Sequence, residues 1–178
     1  MGAKERIAEA ALAEVPEDGA ILIDAGTTTG LLAQILPTDR ELTVVTNSLA
    51  IASALSSWTN LTLMMVGGRL QRHSLAAVDE WSLRVLWNIY VDVAFVGTMG
   101  LSVARGLTTS DEALATVKRA MIACARRTVL LADHTKIDNN QPAAFGELAD
   151  LDIVITDSGV DPIAAKEIAT AGPQVIAA

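Results

Sequence analysis

Short apolar runs rich in β-branched residues recur along this chain. Each closes on small or polar residues, and a stretch with helical spacing then begins. The runs predict strands over residues 20–24, 42–46, 61–66, 92–97, 128–132, 152–156 and 174–176. Apolar positions three and four apart predict helices over 28–36, 49–57, 78–89, 111–125 and 162–171, after an amphipathic opening helix over 1–13. Strand and helix alternating at this spacing imply an α/β fold with a mostly parallel, doubly wound sheet. No repeat, low-complexity tract or internal linker interrupts the pattern, so residues 1–178 are expected to form one domain.

Composition sharpens that picture. Hydrophobic residues make up 51% of the 178 residues and aromatics only 3%, so the core must be built from Ala, Val, Leu and Ile. Such a core suits parallel strands buried between helices. Trp81, Val85, Leu86 and Trp87 make the 78–89 helix apolar on more than one side; core packing is the first reading and a subunit contact the second. No apolar run approaches a membrane span, and the first residues lack the apolar stretch of a signal peptide. A cytoplasmic protein with no membrane partner is expected.

Charge and rare residues exclude further classes. The net charge of −8, from 21 acids against 13 bases, opposes nucleic-acid binding by this segment itself, because such binding neutralises phosphates with Lys and Arg. The Arg126-Arg127 pair is too short to reverse that and reads as cations at a helix C-terminus. Cys124 is the one cysteine, so no internal disulfide exists; its apolar surroundings in sequence predict a buried, inert thiol. His73 and His134 are far apart and lack ligand spacing, so no metal site is expected. Neither a G-x-x-x-x-G-K-[ST] loop nor a G-x-G-x-x-G turn occurs, which argues against a nucleotide cofactor; no cofactor is expected.

Candidate chemistry gathers where strands end. In a parallel sheet the segments Asp24–Thr29, Thr46–Ser48, Gly67–Arg69, Gly97–Gly100 and Asp133–Lys136 fall on one edge, the edge at which open α/β sheets bind ligands. The first segment, Asp24-Ala25-Gly26-Thr27-Thr28-Thr29, aims helix N–H groups, a helix dipole and hydroxyls at one point, which is a phosphate seat. Threonines there also read as ordinary helix caps. Asn47 offers an amide to a sugar hydroxyl or phosphate oxygen, whereas Ser48 reads equally as a cap. Gly67-Gly68 reads as a turn or as an anion-facing pair of amides. Glu112 and Lys118, six apart, lie on different sides of their helix, and solvated surface charge is the plain alternative for both. Asp133 and Lys136 follow an apolar strand at the expected ligand edge, where a lysine suits a phosphate.

Taken in order, Asp24-Ala-Gly-Thr-Thr-Thr, Val45-Thr-Asn47-Ser48, Gly67-Gly68, Asp92-Val-Ala-Phe-Val-Gly97, Gly106-Leu-Thr108, Glu112-Ala113 with Val117-Lys118, Ala132-Asp133-x-x-Lys136 and Ile155-Thr-Asp157 resemble the C-terminal sensor domain of DeoR-type bacterial transcriptional regulators. The resemblance runs from about Lys4 to Ile176. It implies a fold like that of ribose-5-phosphate isomerases and coenzyme A transferases. It also implies a phosphorylated-sugar effector, a homo-oligomer, and DNA contact only through an N-terminal winged helix-turn-helix that this chain does not include. Two departures stand out: Asp79 occupies a position where such regulators commonly have glycine, and His134-Thr135 replaces a more usual pair of serines.

The rival reading is a sugar-phosphate isomerase, which needs a carboxylate to move a proton between adjacent carbons. Related isomerases place a cluster of acids after the strand corresponding to 92–97, whereas here Gly97-Thr98-Met99-Gly100 follows. A non-catalytic sensor is therefore expected. Its effector phosphate is expected on Gly26–Thr29, helped by Lys118 or Lys136, with sugar hydroxyls meeting Asp24, Asn47, Asp133 and Glu112.

Overall fold

The computed structural model describes residues 2–178; Met1, at which the expected opening helix begins, lies outside them. Helix α1 (Ala3–Ala11) buries Ile7, Ala8 and Ala11 and leads through a 3₁₀ turn to β1 (Gly19–Ile23). The chain then alternates through α2 (Thr27–Gln34), β2 (Leu42–Thr46), α3 (Leu49–Leu55) and β3 (Leu61–Met65). A two-residue hairpin, β4 (Arg69–Leu70) with β5 (Ala77–Val78), precedes α4 (Glu80–Leu86) and β6 (Val91–Gly97). Then come β7 (Gly100–Ser102), β8 (Gly106–Thr109), α5 (Glu112–Ala123), β9 (Ala125–Leu131), β10 (Ala143–Gly146), β11 (Ile153–Thr156), α6 (Pro162–Thr170) and β12 (Gln174–Ala177).

The main sheet runs β12-β11-β9-β6-β1-β2-β3, and every pairing in it is parallel. From β1 the chain first builds outward through β2 to β3. It then returns to the other side of β1 at β6 and builds the opposite way. The gap between the carboxyl ends of β1 and β6 is thus the point where strand order reverses, which is where doubly wound sheets hold ligands. Alternate residues of each strand feed two separate cores. Ile21, Ile23, Val44, Val93 and Phe95 pack with α1, α2 and α3, while Leu22, Val45, Ala94, Val96 and Leu130 pack with α4, α5 and α6. Serine or aspartate caps fix where helices start: Ser48 Oγ accepts from the Ile51 amide at 3.2 Å, and Asp111 Oδ1 accepts from the Leu114 amide at 3.0 Å.

Several expectations are corrected. Residues 100–109 and 143–146 form a second, antiparallel sheet ordered β10-β8-β7, whose strands of three or four residues are too short to show a period in sequence. Strand β9 begins at Ala125, so Arg126 and Arg127 lie in a strand rather than at a helix end, and Arg127 pairs with Glu14 at 2.8 Å. The tryptophans of α4 are not core residues. Trp81 is 71% exposed, Trp87 67% and the following Tyr90 66%. The helix buries only the side bearing Ser82 and Leu86, and each tryptophan stands about 100° around the helix from one of those two.

Asp79, just before α4, has a φ of 83°, in the left-handed region where a side chain is strained. This accounts for a glycine being the easier residue at this position. Asp79 also accepts from Arg69 at 2.6 Å, tying the hairpin to the helix start. Gly68 is required for a different reason: a Cβ there would run into Ser82 Oγ and the Val78 carbonyl.

Candidate functional site

The loop after β1 delivers Asp24 into the switch point and turns at Gly26 into α2. Gly26 is the N-cap of α2, and no side chain caps that helix. The capping alternative for Thr27–Thr29 therefore does not describe this end: the threonines lie inside the first turn. A cavity of about 220 Å³ opens at this end, lined by Gly26, Thr27, Thr28 and Thr29 at the start of α2, Gly97, Thr98 and Met99 at the end of β6 and just after it, and Asp133 and Lys136 after β9. Lys4 from α1, Thr109 from β8, and Leu114 and Lys118 from α5 join them, and Ala25, Ser74, Leu131 and Ala132 complete the lining. This is smaller than the roughly 300–1,000 Å³ of drug-sized sites, so it suits a small metabolite.

Two features of the lining call for a ligand. Thr29 Oγ1 and Thr109 Oγ1 are fully buried and make no hydrogen bond among the described residues, and such groups carry a desolvation cost unless something pairs with them. Second, Lys4 and Lys136 line the cavity without an ion-pair partner among the described residues; Lys4 Nζ only donates to Thr27 Oγ1, at 2.9 Å. Two lysines without an ion-pair partner among the described residues thus stand beside an uncapped helix N-terminus, in a chain whose net charge is −8.

Lys118 is engaged elsewhere. The residue is 5% exposed, and its ammonium makes a close ion pair with Asp24 Oδ2 and donates to the Gly97 carbonyl at 2.9 Å. Asp24 Oδ2 also accepts from the Gly97 amide at 3.0 Å. The pair thus ties α5 to the carboxyl ends of β1 and β6 and forms the floor beside the cavity. Asp133, 7% exposed, accepts through Oδ1 from the Thr135 amide and hydroxyl, and its Oδ2 makes no hydrogen bond among the described residues. His134 turns away: its amide and ring nitrogen Nδ1 bond the two oxygens of Asp157 at 2.7 and 2.8 Å. Burial works to raise the Asp157 carboxyl, but the His134 amide and ring and the Gly159 amide outweigh it and hold the group below the usual carboxylate value.

Other residues singled out in the sequence take structural positions. Asn47 Oδ1 accepts from the Ala25 amide at 3.1 Å and its Nδ2 donates to the Ala77 carbonyl at 3.2 Å, so it braces the loop before Gly26 without lining the cavity. Ser48 caps α3. Gly67 and Gly68 lie at the turn beneath α4, where the Gly67 carbonyl accepts from Ser82 Oγ at 2.7 Å. The Glu112 side chain is 70% exposed and pairs with Arg119 at 2.9 Å, on the solvent side of α5. Cys124 is buried, donates to the Met121 carbonyl at 3.3 Å, and burial pushes its thiol up to about 11. Lys4, Ser74, Thr109 and Leu114 are lining residues that sequence reasoning did not find, whereas Thr98 and Met99 lie in the Gly97–Gly100 segment it placed on the ligand edge; Lys4 sits on a helix whose pattern reports only amphipathicity.

Comparison with known proteins follows the same lines. A family model described as the DeoR C-terminal sensor domain matches residues 1–158. An uncharacterised HTH-type transcriptional regulator of Bacillus subtilis, YulB, is 36% identical over 93% of this chain and 64% of its own length. The HTH-type transcriptional regulator GlpR of Haloferax volcanii is 35% identical over 97% of this chain and 68% of its own length. The glycerol-3-phosphate regulon repressor of Escherichia coli is 28% identical over 94% and 66% respectively. The chain thus spans about two thirds of the length of these curated relatives. Among solved structures, ribose 5-phosphate isomerase A of Methanocaldococcus jannaschii superposes with a TM-score of 0.55 at 17% identity, covering 75% of this chain and 53% of that one. The eIF2B beta subunit of Chaetomium thermophilum gives 0.56 at 14% identity, over 85% and 47%. Likeness at these identities establishes the fold alone.

Proposed function

The chain belongs to the DeoR C-terminal sensor domain family, and from that premise we propose that its switch-point cavity binds a phosphorylated sugar or a related small phosphorylated metabolite. The observation that carries this reading is the N-terminus of α2, which no side chain caps and which opens on a cavity with Lys4 and Lys136 beside it. Amides of the first turn and the Thr28 and Thr29 hydroxyls hold the phosphate; Asp133 accepts from a hydroxyl of the attached carbon chain. A few charge-assisted hydrogen bonds of about 1.5–3 kcal/mol each support micromolar binding, which requires about 8 kcal/mol. Relatives named for a glycerol-3-phosphate regulon and for an aga operon lend support.

In the longer regulator, ligand binding shifts the balance between two arrangements of a cytoplasmic repressor whose separate N-terminal domain contacts DNA. A ligand acts only through its differential affinity for the two states. The site is read as non-catalytic. Asp133 is the only acid among the cavity-lining residues, and Asp24 is committed to Lys118. No described helix is long and apolar enough to cross a membrane.

A thermal-shift screen of sugar phosphates against their unphosphorylated counterparts tests this directly: ligand at a hundredfold excess over Kd adds about 2.7 kcal/mol of stability. Thr28→Val is expected to weaken the best phosphorylated binder about tenfold and to leave its unphosphorylated counterpart unchanged; equal losses contradict the phosphate assignment. Solvent proton exchange at C1 or C2 of the bound sugar would instead identify an isomerase.

For the outward side of α4 the partner we propose is a second copy of the chain. Glu80 and Arg84 lie one turn apart and pair at 2.6 Å, so an antiparallel copy of the same helix meets them with matched charges. Trp81, Trp87 and Tyr90 supply roughly 400 Å² of aromatic surface, about half of what each partner buries in a stable complex. Light scattering should show a dimer or larger assembly, and the double variant Trp81→Ser/Trp87→Ser should shift it toward monomer. An unchanged mass rules this surface out.

A further inference from the structure

Helix α1 reaches the cavity through one side chain. Its apolar side, Ile7, Ala8 and Ala11, is buried among α2 and the sheet, while Lys4 at its N-terminal end extends to Thr27 in the first turn of α2 and lines the cavity. We propose that Lys4 is the residue through which an occupied site grips α1: a bound phosphate bridges the Lys4 ammonium and the first-turn amides of α2. This rests on the phosphate reading of the cavity and adds to it the route by which occupancy is felt outside.

Three observations converge on Lys4. Its hydroxyl partner is neutral, and no carboxylate pairs with it among the described residues, so a dianion is the stronger partner available within reach. Lys118, a second lysine in the lining, is already neutralised by Asp24. In the same helix turn, Thr29 lines the cavity and its buried Oγ1 makes no hydrogen bond among the described residues. Lys136 stands on the β9 side of the cavity and can hold an anion without involving α1 at all. Lys4 alone therefore links the anion to the first helix of the chain, the helix nearest to whatever precedes this domain in a longer regulator. With the site empty, one hydrogen bond from the Lys4 ammonium to a neutral hydroxyl holds that end of α1 to α2; with an anion present, an ion-paired bridge replaces it.

Amide hydrogen exchange on the 178-residue chain distinguishes the possibilities, with inorganic phosphate as the probe and chloride at matched ionic strength as the control. Phosphate should slow exchange both in the first turn of α2 and along Ala3–Ala11. In Lys4→Gln the slowing at α2 should persist, with phosphate affinity several-fold lower, while the slowing along α1 disappears; Lys4→Arg should restore it. Slowing at α2 with α1 unaffected in the wild type overturns the role of Lys4 and leaves the phosphate site standing. The same holds if the slowing along α1 survives in Lys4→Gln. No slowing at either helix overturns the phosphate site itself.

Discussion

Lys118→Met should lower the free energy of unfolding by about 3–5 kcal/mol, the range seen when one member of a buried ion pair is removed. Lys118 and Asp24 are 5% and 1% exposed, and they lie 94 residues apart in sequence. Methionine fills much the same volume, so the loss comes from charge and not from a hole. It leaves the Asp24 carboxylate buried with the Gly97 backbone amide as its remaining donor among the described residues, and it leaves the Gly97 carbonyl without its ammonium donor. The double variant Asp24→Asn/Lys118→Met should recover most of the loss, because no net charge then stays buried and the introduced carboxamide oxygen still accepts from the Gly97 amide. Urea unfolding with an unchanged m-value checks both expectations. A single variant that loses less than about 1 kcal/mol would mean that water solvates the pair.

That pair also marks the limit of what the sequence could reveal. The central strands were legible because both their faces are buried, so runs such as Leu42–Thr46 are apolar or β-branched throughout and end on turn residues. The antiparallel sheet β10-β8-β7 was not, since its short strands leave no period and β10 pairs with a strand far from it in the chain. Within the site, Gly26–Thr29 and Asp133–Lys136 could be found because their chemistry is local: the residues that act together are neighbours in sequence. Lys118 gives no such sign. A lysine at a helix position reads the same whether it is solvated, like Lys166 on α6, or buried against an aspartate. Gly67-Gly68 shows the converse ambiguity. The same two glycines serve an anion or a close approach of Ser82, and only the position of α4 decides. The exposed tryptophans of α4 misled for a related reason, because apolarity on several sides of a helix signals burial without saying whether this chain or another provides it.

Gly26→Asp should separate binding from stability, moving them independently. Gly26 has a φ of 176°, extended backbone open to any residue, so the substitution carries no backbone strain. Its new carboxylate would accept from the first-turn amides and cap α2, a gain of about 1 kcal/mol for such caps. Against this, the new Cβ would come within 2.9 Å of Thr29 Oγ1, the far end of a side chain that must rotate aside. Folding stability is therefore expected to stay within about 1 kcal/mol of the wild type. Phosphate binding should fall by a hundredfold or more. The variant gives the amides an internal acceptor, places a negative charge in the seat, and turns away the Thr29 hydroxyl. Losing two charge-assisted bonds alone amounts to about 3 kcal/mol or more, which is two decades of affinity. Calorimetric titration with the best sugar phosphate, beside urea unfolding of the free protein, reads the two quantities separately. A folded Gly26→Asp variant that still binds within about threefold of the wild type would place the phosphate somewhere other than the start of α2. Lys136 and the β9 side of the cavity would then be the remaining candidates.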